Sequence, residues 1–64
     1  MRLHSILEIM PGSAYVHIED AYDKLLLRGR ACDALKYVKD GEVFTFFSMC
    51  DRTYGSVLYI SLED

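Results

Sequence analysis

The chain has 64 residues, of which 52% are hydrophobic and 27% are charged, and its formal net charge at pH 7 is −3. This length predicts one small domain, residues 1–64, burying only about 60% of the surface that the unfolded chain exposes. The negative charge argues against the basic stripe with which proteins bind duplex DNA or RNA. No apolar run approaches the roughly 20 residues that span a bilayer, and no signal peptide is evident, so we expect a soluble cytoplasmic protein.

The first eleven residues show helical periodicity. Apolar side chains recur at positions i, i+3, i+4 and i+7, which places them on one stripe of a short helix: Leu3, Ile6, Leu7 and Met10. Ser5 and Glu8 have the spacing of a capping box, and Pro11-Gly12 ends the element. A helix this short needs to pack on a sheet, because it would not be stable alone.

Two strands, over residues 14–19 and 24–30, are predicted to follow as a hairpin with the loop 20–23. One register satisfies both faces of the pair, and slipping it by one residue would invert every side chain. Its inner pairs are Ile18 with Leu25 and Val16 with Leu27, and its outer pairs are Glu19 with Lys24, His17 with Leu26 and Tyr15 with Arg28.

A second helix is predicted from Asp33, as its cap, through Lys39, with Gly41 as a left-handed stop. Its inner positions are Ala34, Leu35 and Val38. Residues 42–50 and 57–62 are rich in aromatic and branched side chains, which predicts two strands around the turn-forming loop 51–56.

The register of this second hairpin decides which aromatic side chains face outward. Pairing Met49 with Leu58 and Phe47 with Ile60 gives an apolar inner face, and it leaves three aromatic side chains on the opposite side: Phe44, Phe46 and Tyr59. A register shifted by one residue would instead turn Phe47 and Met49 outward. The strand is apolar on both faces in either case.

The predicted fold class is therefore α+β, with the order α-β-β-α-β-β. The two hairpins form a four-stranded antiparallel sheet, and both short helices pack on one of its faces.

No motif for catalysis, metal binding or a cofactor is present. The chain lacks a nucleophile elbow, an HExxH sequence and a phosphate-binding glycine loop, so we expect no enzymatic activity. The two cysteines, Cys32 and Cys50, are too few for a disulfide framework and are expected to be reduced and partly buried. With His4 and His17 they show no CxxC or HxH spacing, so no metal site is predicted.

Two surfaces are candidate binding sites. The outer face of the first hairpin carries basic and aromatic side chains that can hold a phosphate and stack on a base: Tyr15, His17, Lys24, Arg28 and Arg30. The same side chains are also consistent with ordinary cross-strand pairs on a solvated sheet. The other candidate is the Phe44, Phe46 and Tyr59 cluster, because exposed aromatic groups mark interfaces, including those between copies of one chain.

The segments LHSILEIM, PGSAYVHIED, LLLRGRACD, EVF and LYISLED follow one another in a progression that resembles short accessory proteins of prophages and mobile elements in Gram-positive bacteria. This resemblance implies a small phage-encoded protein of a class whose members include anti-CRISPR and other anti-defence proteins. The group has no shared site, so no functional residue is transferred.

These observations give a leading functional hypothesis and two alternatives. The leading one is a non-enzymatic phage-type inhibitor that captures a host defence factor through aromatic sheet surfaces, as a homo-oligomer. The second is an oligomeric sponge that sequesters a small anionic nucleotide signal. The third is a structural component of a virion or of a toxin–antitoxin system.

Overall fold

The computed structural model describes residues 1–63. Its elements, in chain order, are α1 (Leu3–Ile9), β1 (Tyr15–Glu19), β2 (Leu25–Arg30), α2 (Ala31–Tyr37), β3 (Val43–Asp51) and β4 (Gly55–Leu62). The predicted α+β class, with one four-stranded sheet made from two hairpins and two helices, is confirmed. Within residues 1–63, neither helix is long and apolar enough to cross a bilayer.

The sheet is mixed, so the prediction of a purely antiparallel sheet is wrong. Its strand order is β2-β1-β4-β3, and the two central strands, β1 and β4, run parallel. Val16 lies beside Leu58 and Ile18 beside Ile60 in this central pair. The hairpins therefore join through the two strands that carry all the buried side chains of the sheet, because these strands lie together beneath the helices.

The core lies between the helices and one face of the central strands. Its buried side chains are Leu3, Ile6, Leu7, Ala31 and Ala34 from the helices and Val16, Ile18, Ile60 and Leu62 from the sheet. The predicted stripe of α1 is confirmed, with Met10 packed against the core. Both helices lie on the same side of the sheet, and β3 extends beyond them as an edge strand.

The helix ends differ from their predictions. α1 begins at Leu3, so Ser5 is not its cap, and the N–H of His4 donates to Asp40 Oδ1 at 2.9 Å. α2 begins at Ala31, directly after β2, which places Asp33 in its first turn. The helix takes this earlier start because Ala31 is then completely buried in the core. Both cysteine thiols are free, and they are exposed where partial burial was expected.

The register of the first hairpin differs by two residues from the predicted one. His17 lies opposite Arg28 and Tyr15 opposite Arg30. The turn is longer than expected because the Asp20 carboxylate accepts hydrogen bonds from the backbone N–H groups of Tyr22 and Lys24. A bulge then follows at Ile18/Glu19, and Lys24 belongs to the turn, outside β2.

The register of the second hairpin differs by one residue from the predicted one. Phe47 lies opposite Tyr59 and Met49 opposite Val57. The turn is tighter than the predicted loop because Gly55 has a positive φ of 76° and the Asp51 carboxylate accepts the N–H groups of two turn residues, Thr53 and Tyr54. β4 therefore begins at Gly55, two positions before the predicted start.

This one-residue difference separates Phe46 from Tyr59. Phe46 pairs with the buried Ile60 and so lies on the helix side of the sheet, whereas Tyr59 lies on the other side with Phe47. Phe46 is nevertheless 48% exposed, because the helices do not extend over the edge strand. Phe44 is 72% exposed at the irregularity that begins β3.

Candidate functional site

The side of the sheet opposite α1 and α2, called here the helix-free face, is the candidate functional site. Side chains alternate along each strand, so the neighbours of the core residues Val16 and Ile18 point to this face. The registers bring six of its side chains together at its centre: Tyr15, His17, Arg28, Phe47, Val57 and Tyr59. Neither helix packs over these side chains.

One transverse row crosses all four strands. This central row consists of neighbouring side chains in the order Arg28, His17, Tyr59 and Phe47. The His17 and Tyr59 rings stack with their centroids 4.6 Å apart, and the Phe47 and Tyr59 rings stack at 5.4 Å with an interplanar angle of 9°. The row is thus a continuous aromatic surface that ends in a guanidinium group.

The contacts of His17 define its tautomer. Arg28 Nη1 lies 2.9 Å from His17 Nδ1, and a guanidinium nitrogen is always a donor, so Nδ1 is the acceptor. The proton of the neutral ring is then on Nε2, which donates to Glu19 Oε1 at 2.6 Å. Both ring nitrogens are already hydrogen-bonded, which leaves neither positioned to take a proton from a substrate.

Arg28 connects the first hairpin to the second. Its Nη1 donates to Tyr59 Oη at 3.2 Å, its Nη2 to Asp51 Oδ2 at 3.3 Å, and its Cζ lies 5.8 Å from the centroid of the Tyr59 ring. The hydrogen bond to Tyr59, with the Asp51 charge as a smaller cause, raises the pKa of Arg28 above its ordinary value. The guanidinium group is therefore charged and already engaged by groups of the protein.

A second row lies beside the central row. It contains Arg30, Tyr15, Val57 and Met49 in neighbouring strands. Tyr54, from the β3–β4 turn, folds onto Tyr15 with the ring centroids 4.0 Å apart. Val57 is only 1% exposed although it lies outside the main core, so this face contains a small apolar cluster of its own.

The helix-free face is electrostatically balanced at its centre. The charges of Arg28 and Arg30 are opposed by those of Glu19 and Asp51, which lie on the same face or at its end. An anion that approached Arg28 would have to compete with the Asp51 carboxylate. No ion pair is described for Arg30 within residues 1–63, so its charge is the more accessible of the two.

Four of the five side chains predicted to bind an anion share the helix-free face: Tyr15, His17, Arg28 and Arg30. Lys24 is separate from them because it lies in the β1–β2 turn. Tyr59, predicted to belong to a different surface, lies in the same row as His17. The two predicted surfaces therefore overlap at Tyr59, because the parallel pairing of β1 with β4 places Tyr59 beside His17.

The sequence does not predict every side chain of this face. The predicted register places Phe47 and Met49 on the inner face, and only the register shifted by one residue turns them outward. Tyr54 and Asp51 lie in the predicted loop, where the sequence indicates turn formation alone. The Asp-x-x-x-Gly spacing of Asp51 and Gly55 is the sequence signal for the tight turn that sets this register.

Two grooves lie at the margins of the sheet among residues 1–63. A groove of about 470 Å³ lies where β1 and β4 end and β3 begins, among Asp20, Phe44 and Ser61. Another, of about 360 Å³, lies beside Leu26 and Tyr37. Both are partly open to solvent. Within residues 1–63, no group of three or more His, Cys, Asp or Glu side chains is placed to hold a metal ion.

Comparison with protein families, with curated proteins and with solved structures finds no match to this chain.

Proposed function

We propose that this chain is a non-enzymatic binding protein whose helix-free face binds a partner protein. The observation that carries this proposal is the central row, an aromatic and guanidinium surface that spans the sheet without a covering layer. Tyrosine and arginine, with tryptophan, are enriched among the side chains that dominate protein interfaces. The resemblance to phage accessory proteins supports the narrower proposal that the partner is a host defence factor, inhibited by this binding.

The charge balance supports a protein partner over an anion. Arg28 is bound by Asp51, Tyr59 and His17, so the middle of the face has little net charge to offer to a phosphate. Phe47 and Met49 are each 50% exposed beside it. A surface with an apolar centre and paired charges is typical of protein interfaces.

The contacts of His17 support a role without catalysis. General acid–base catalysis requires a ring nitrogen that can reach the substrate, and both nitrogens of His17 are bonded within the protein. The Glu19–His17–Arg28 chain instead holds the His17 ring rigidly against Tyr59. A rigid aromatic surface loses little conformational entropy when a partner covers it.

An affinity measurement with a matched charge reversal tests the proposal. The wild-type protein is used to isolate a stoichiometric partner from extracts of a bacterial host, and the purified partner is then titrated calorimetrically. Arg28→Glu should weaken binding at least about 30-fold, as expected for a dominant interface residue. Lys36→Glu, which makes the same charge change on α2, should leave the affinity unchanged.

Two results would contradict the proposed site. Equal affinities for Arg28→Glu and the wild type would remove the helix-free face from the interface. Equal losses in Arg28→Glu and Lys36→Glu would show only a general effect of charge. Circular dichroism of both variants establishes that each remains folded.

A second candidate function is the sequestration of a small anionic nucleotide. The observation that favours it is the presence of two arginines and several aromatic rings on one face, since rings stack on bases and guanidinium groups hold phosphates. The phosphate would bind Arg30 and would displace Asp51 from Arg28. This requirement separates the candidate from the leading proposal.

Calorimetry against cyclic nucleotides and ADP-ribose derivatives tests the second candidate. Arg30→Ala should abolish nucleotide binding, whereas Asp51→Asn should strengthen it because the carboxylate no longer competes for Arg28. Absence of binding to every nucleotide in the panel would refute the candidate. So would a loss of affinity in a folded Asp51→Asn variant.

A further inference from the structure

The free edge of β3 lacks the features that usually protect an edge strand from pairing with another chain. Edge strands leave backbone N–H and C=O groups unpaired, and proteins protect them with charged side chains, prolines, bulges or short length. β3 spans nine residues, and its segment 44–50 contains no charged residue and no proline. Phe44, Phe46, Phe47 and Met49 are all exposed along it.

The other edge of the sheet is protected in several ways. β2 is shorter, carries the charges of Arg28 and Arg30, and contains a bulge opposite Ile18/Glu19. α2 begins directly at its end. The contrast within one small sheet indicates that only the β3 edge is suited to pairing with another strand.

The chain itself limits, at both ends, the part of the β3 edge that is left unpaired. At the start of β3, the N–H of Val43 donates to Met1 O and the N–H of Leu3 donates to Gly41 O, so residues 1–3 already pair with this part of the edge. At the other end, the strand stops at Asp51, where the turn begins. The unpaired edge is therefore 44–50, and its central residue is Phe47.

We propose that a second copy of this chain pairs antiparallel with this edge, about a two-fold axis through Phe47. This register is the one that uses the whole unpaired edge in both copies. It places Phe47 opposite Phe47, Thr45 opposite Met49 and Phe46 opposite Ser48. No charged side chain faces another across it, so the net charge of −3 on each chain creates no local repulsion.

The side-chain alternation of β3 is consistent with this symmetry. A two-fold axis perpendicular to the sheet keeps each copy's helices on the same side, and directly opposed residues of an antiparallel pair share a face. Thr45, Phe47 and Met49 lie on the helix-free face and Phe46 and Ser48 on the helix side, so every pair satisfies this condition. An axis centred between two residues would violate it.

The pairing gives a surface that one chain lacks. The two sheets become one eight-stranded sheet, and the two central rows meet at Phe47 to form a single aromatic row with Arg28 at both ends. The inference extends the proposed function, since a partner protein would meet a helix-free face of twice the width. It does not depend on that function, because the assembly requires no other molecule.

Site-specific cross-linking tests the register. In a Cys32→Ser, Cys50→Ser background, Phe47→Cys should give a disulfide-linked dimer under mild oxidation, because the two thiols lie across the axis. Thr45→Cys, exposed on the same strand, should not cross-link alone, since its copies are too far apart. An equimolar mixture of Thr45→Cys and Met49→Cys should give the mixed dimer.

A measurement of mass without any cysteine chemistry provides the second test. Sedimentation equilibrium of the wild type should give twice the chain mass. Thr45→Lys should give a monomer, because edge lysines oppose strand pairing. Thr53→Lys, the same change in the turn outside the unpaired edge, should remain dimeric.

A wild type that is monomeric at all concentrations would overturn the proposal. A dimer that Thr45→Lys does not dissociate, or that shows no Phe47→Cys cross-link, would also overturn it. Arg28 lies on β2, at the far edge of the sheet from β3, so Arg28→Glu leaves the dimer contact untouched. An unchanged partner affinity in a dimeric Arg28→Glu variant would refute the proposed function alone, and a monomeric wild type that loses its partner in Arg28→Glu would refute the dimer alone.

Discussion

Asp40 performs the capping role that the sequence suggested for Ser5. Its carboxylate accepts hydrogen bonds from the backbone of His4 and Gly41 and from the Arg2 side chain. The sequence could not predict this contact, because Asp40 is distant in the chain and reaches α1 only when residues 1–3 pair with 41–43. Local spacing identifies candidate caps, but a carboxylate brought by tertiary structure can replace them.

The stability contributed by Asp40 should depend on pH. The hydrogen bond from His4, with the Arg2 contacts as a further cause, lowers the pKa of Asp40 in the folded chain. The contribution is therefore complete above the unfolded pKa of about 4 and is lost as the pH falls through the lower folded value. Asp40→Asn should lower the melting temperature at pH 7, and its difference from the wild type should narrow below about pH 4.

Thermal denaturation followed by circular dichroism between pH 2 and pH 7, about the range over which carboxylates titrate, checks this expectation. Glu8→Gln is a suitable control, because Glu8 is an exposed carboxylate of α1 with no hydrogen bond described. A difference between Asp40→Asn and the wild type that stays constant across the titration would contradict the proposed role of the carboxylate charge.

At the scale of elements, periodicity was sufficient to locate the helices and strands but not their registers. The stripe of α1 and the alternation of β1 follow directly from apolar spacing. The registers instead follow from the turns, where one carboxylate and one backbone torsion decide how many residues are left unpaired. In the β3–β4 turn these are the Asp51 carboxylate and the positive φ of Gly55. In the β1–β2 turn they are the Asp20 carboxylate and the positive φ of Asp23.

Gly55 should be the most sensitive glycine of the hairpins. Its φ of 76° is costly for residues with a side chain, so Gly55→Ala should destabilise the fold by about 1–2 kcal/mol. Gly29→Ala in β2 is the matched control, since a methyl group there meets only Leu27 Cδ2, at 4.0 Å. Urea denaturation of both variants at one protein concentration would show the contrast, and equal midpoints would argue against it.

At the scale of the whole molecule, the central pairing of β1 with β4 sets how the two hairpins are arranged in the sheet, which the amino-acid sequence does not specify. Two amphipathic hairpins can be arranged in several orders, and nothing local specifies which strands meet. The parallel pairing brings His17 beside Tyr59 and so creates the central row. The candidate site was therefore predictable as two halves, but their union required the tertiary structure.

The core should tolerate little loss of volume. A 64-residue domain has a free energy of unfolding of about 3–10 kcal/mol, and truncating a buried Ile costs about 2–5 kcal/mol. Ile60→Ala should thus leave much of the protein unfolded at 25 °C, about the reference temperature of those energies, whereas Ile9→Ala, at an 84% exposed position, should change little. Urea titrations measure both, and a cooperative, wild-type-like transition for Ile60→Ala would contradict the assigned core.

The parallel contact between β1 and β4 also has a consequence for how the chain folds. Each hairpin can close quickly, since its strands are neighbours in sequence, but the two strands of the central pair are separated in the chain by β2, α2 and β3. Closing that long loop is costly before any core contact repays it. Folding should therefore be slow for a chain of this size, with the meeting of Ile18 and Ile60 as the event that limits its rate.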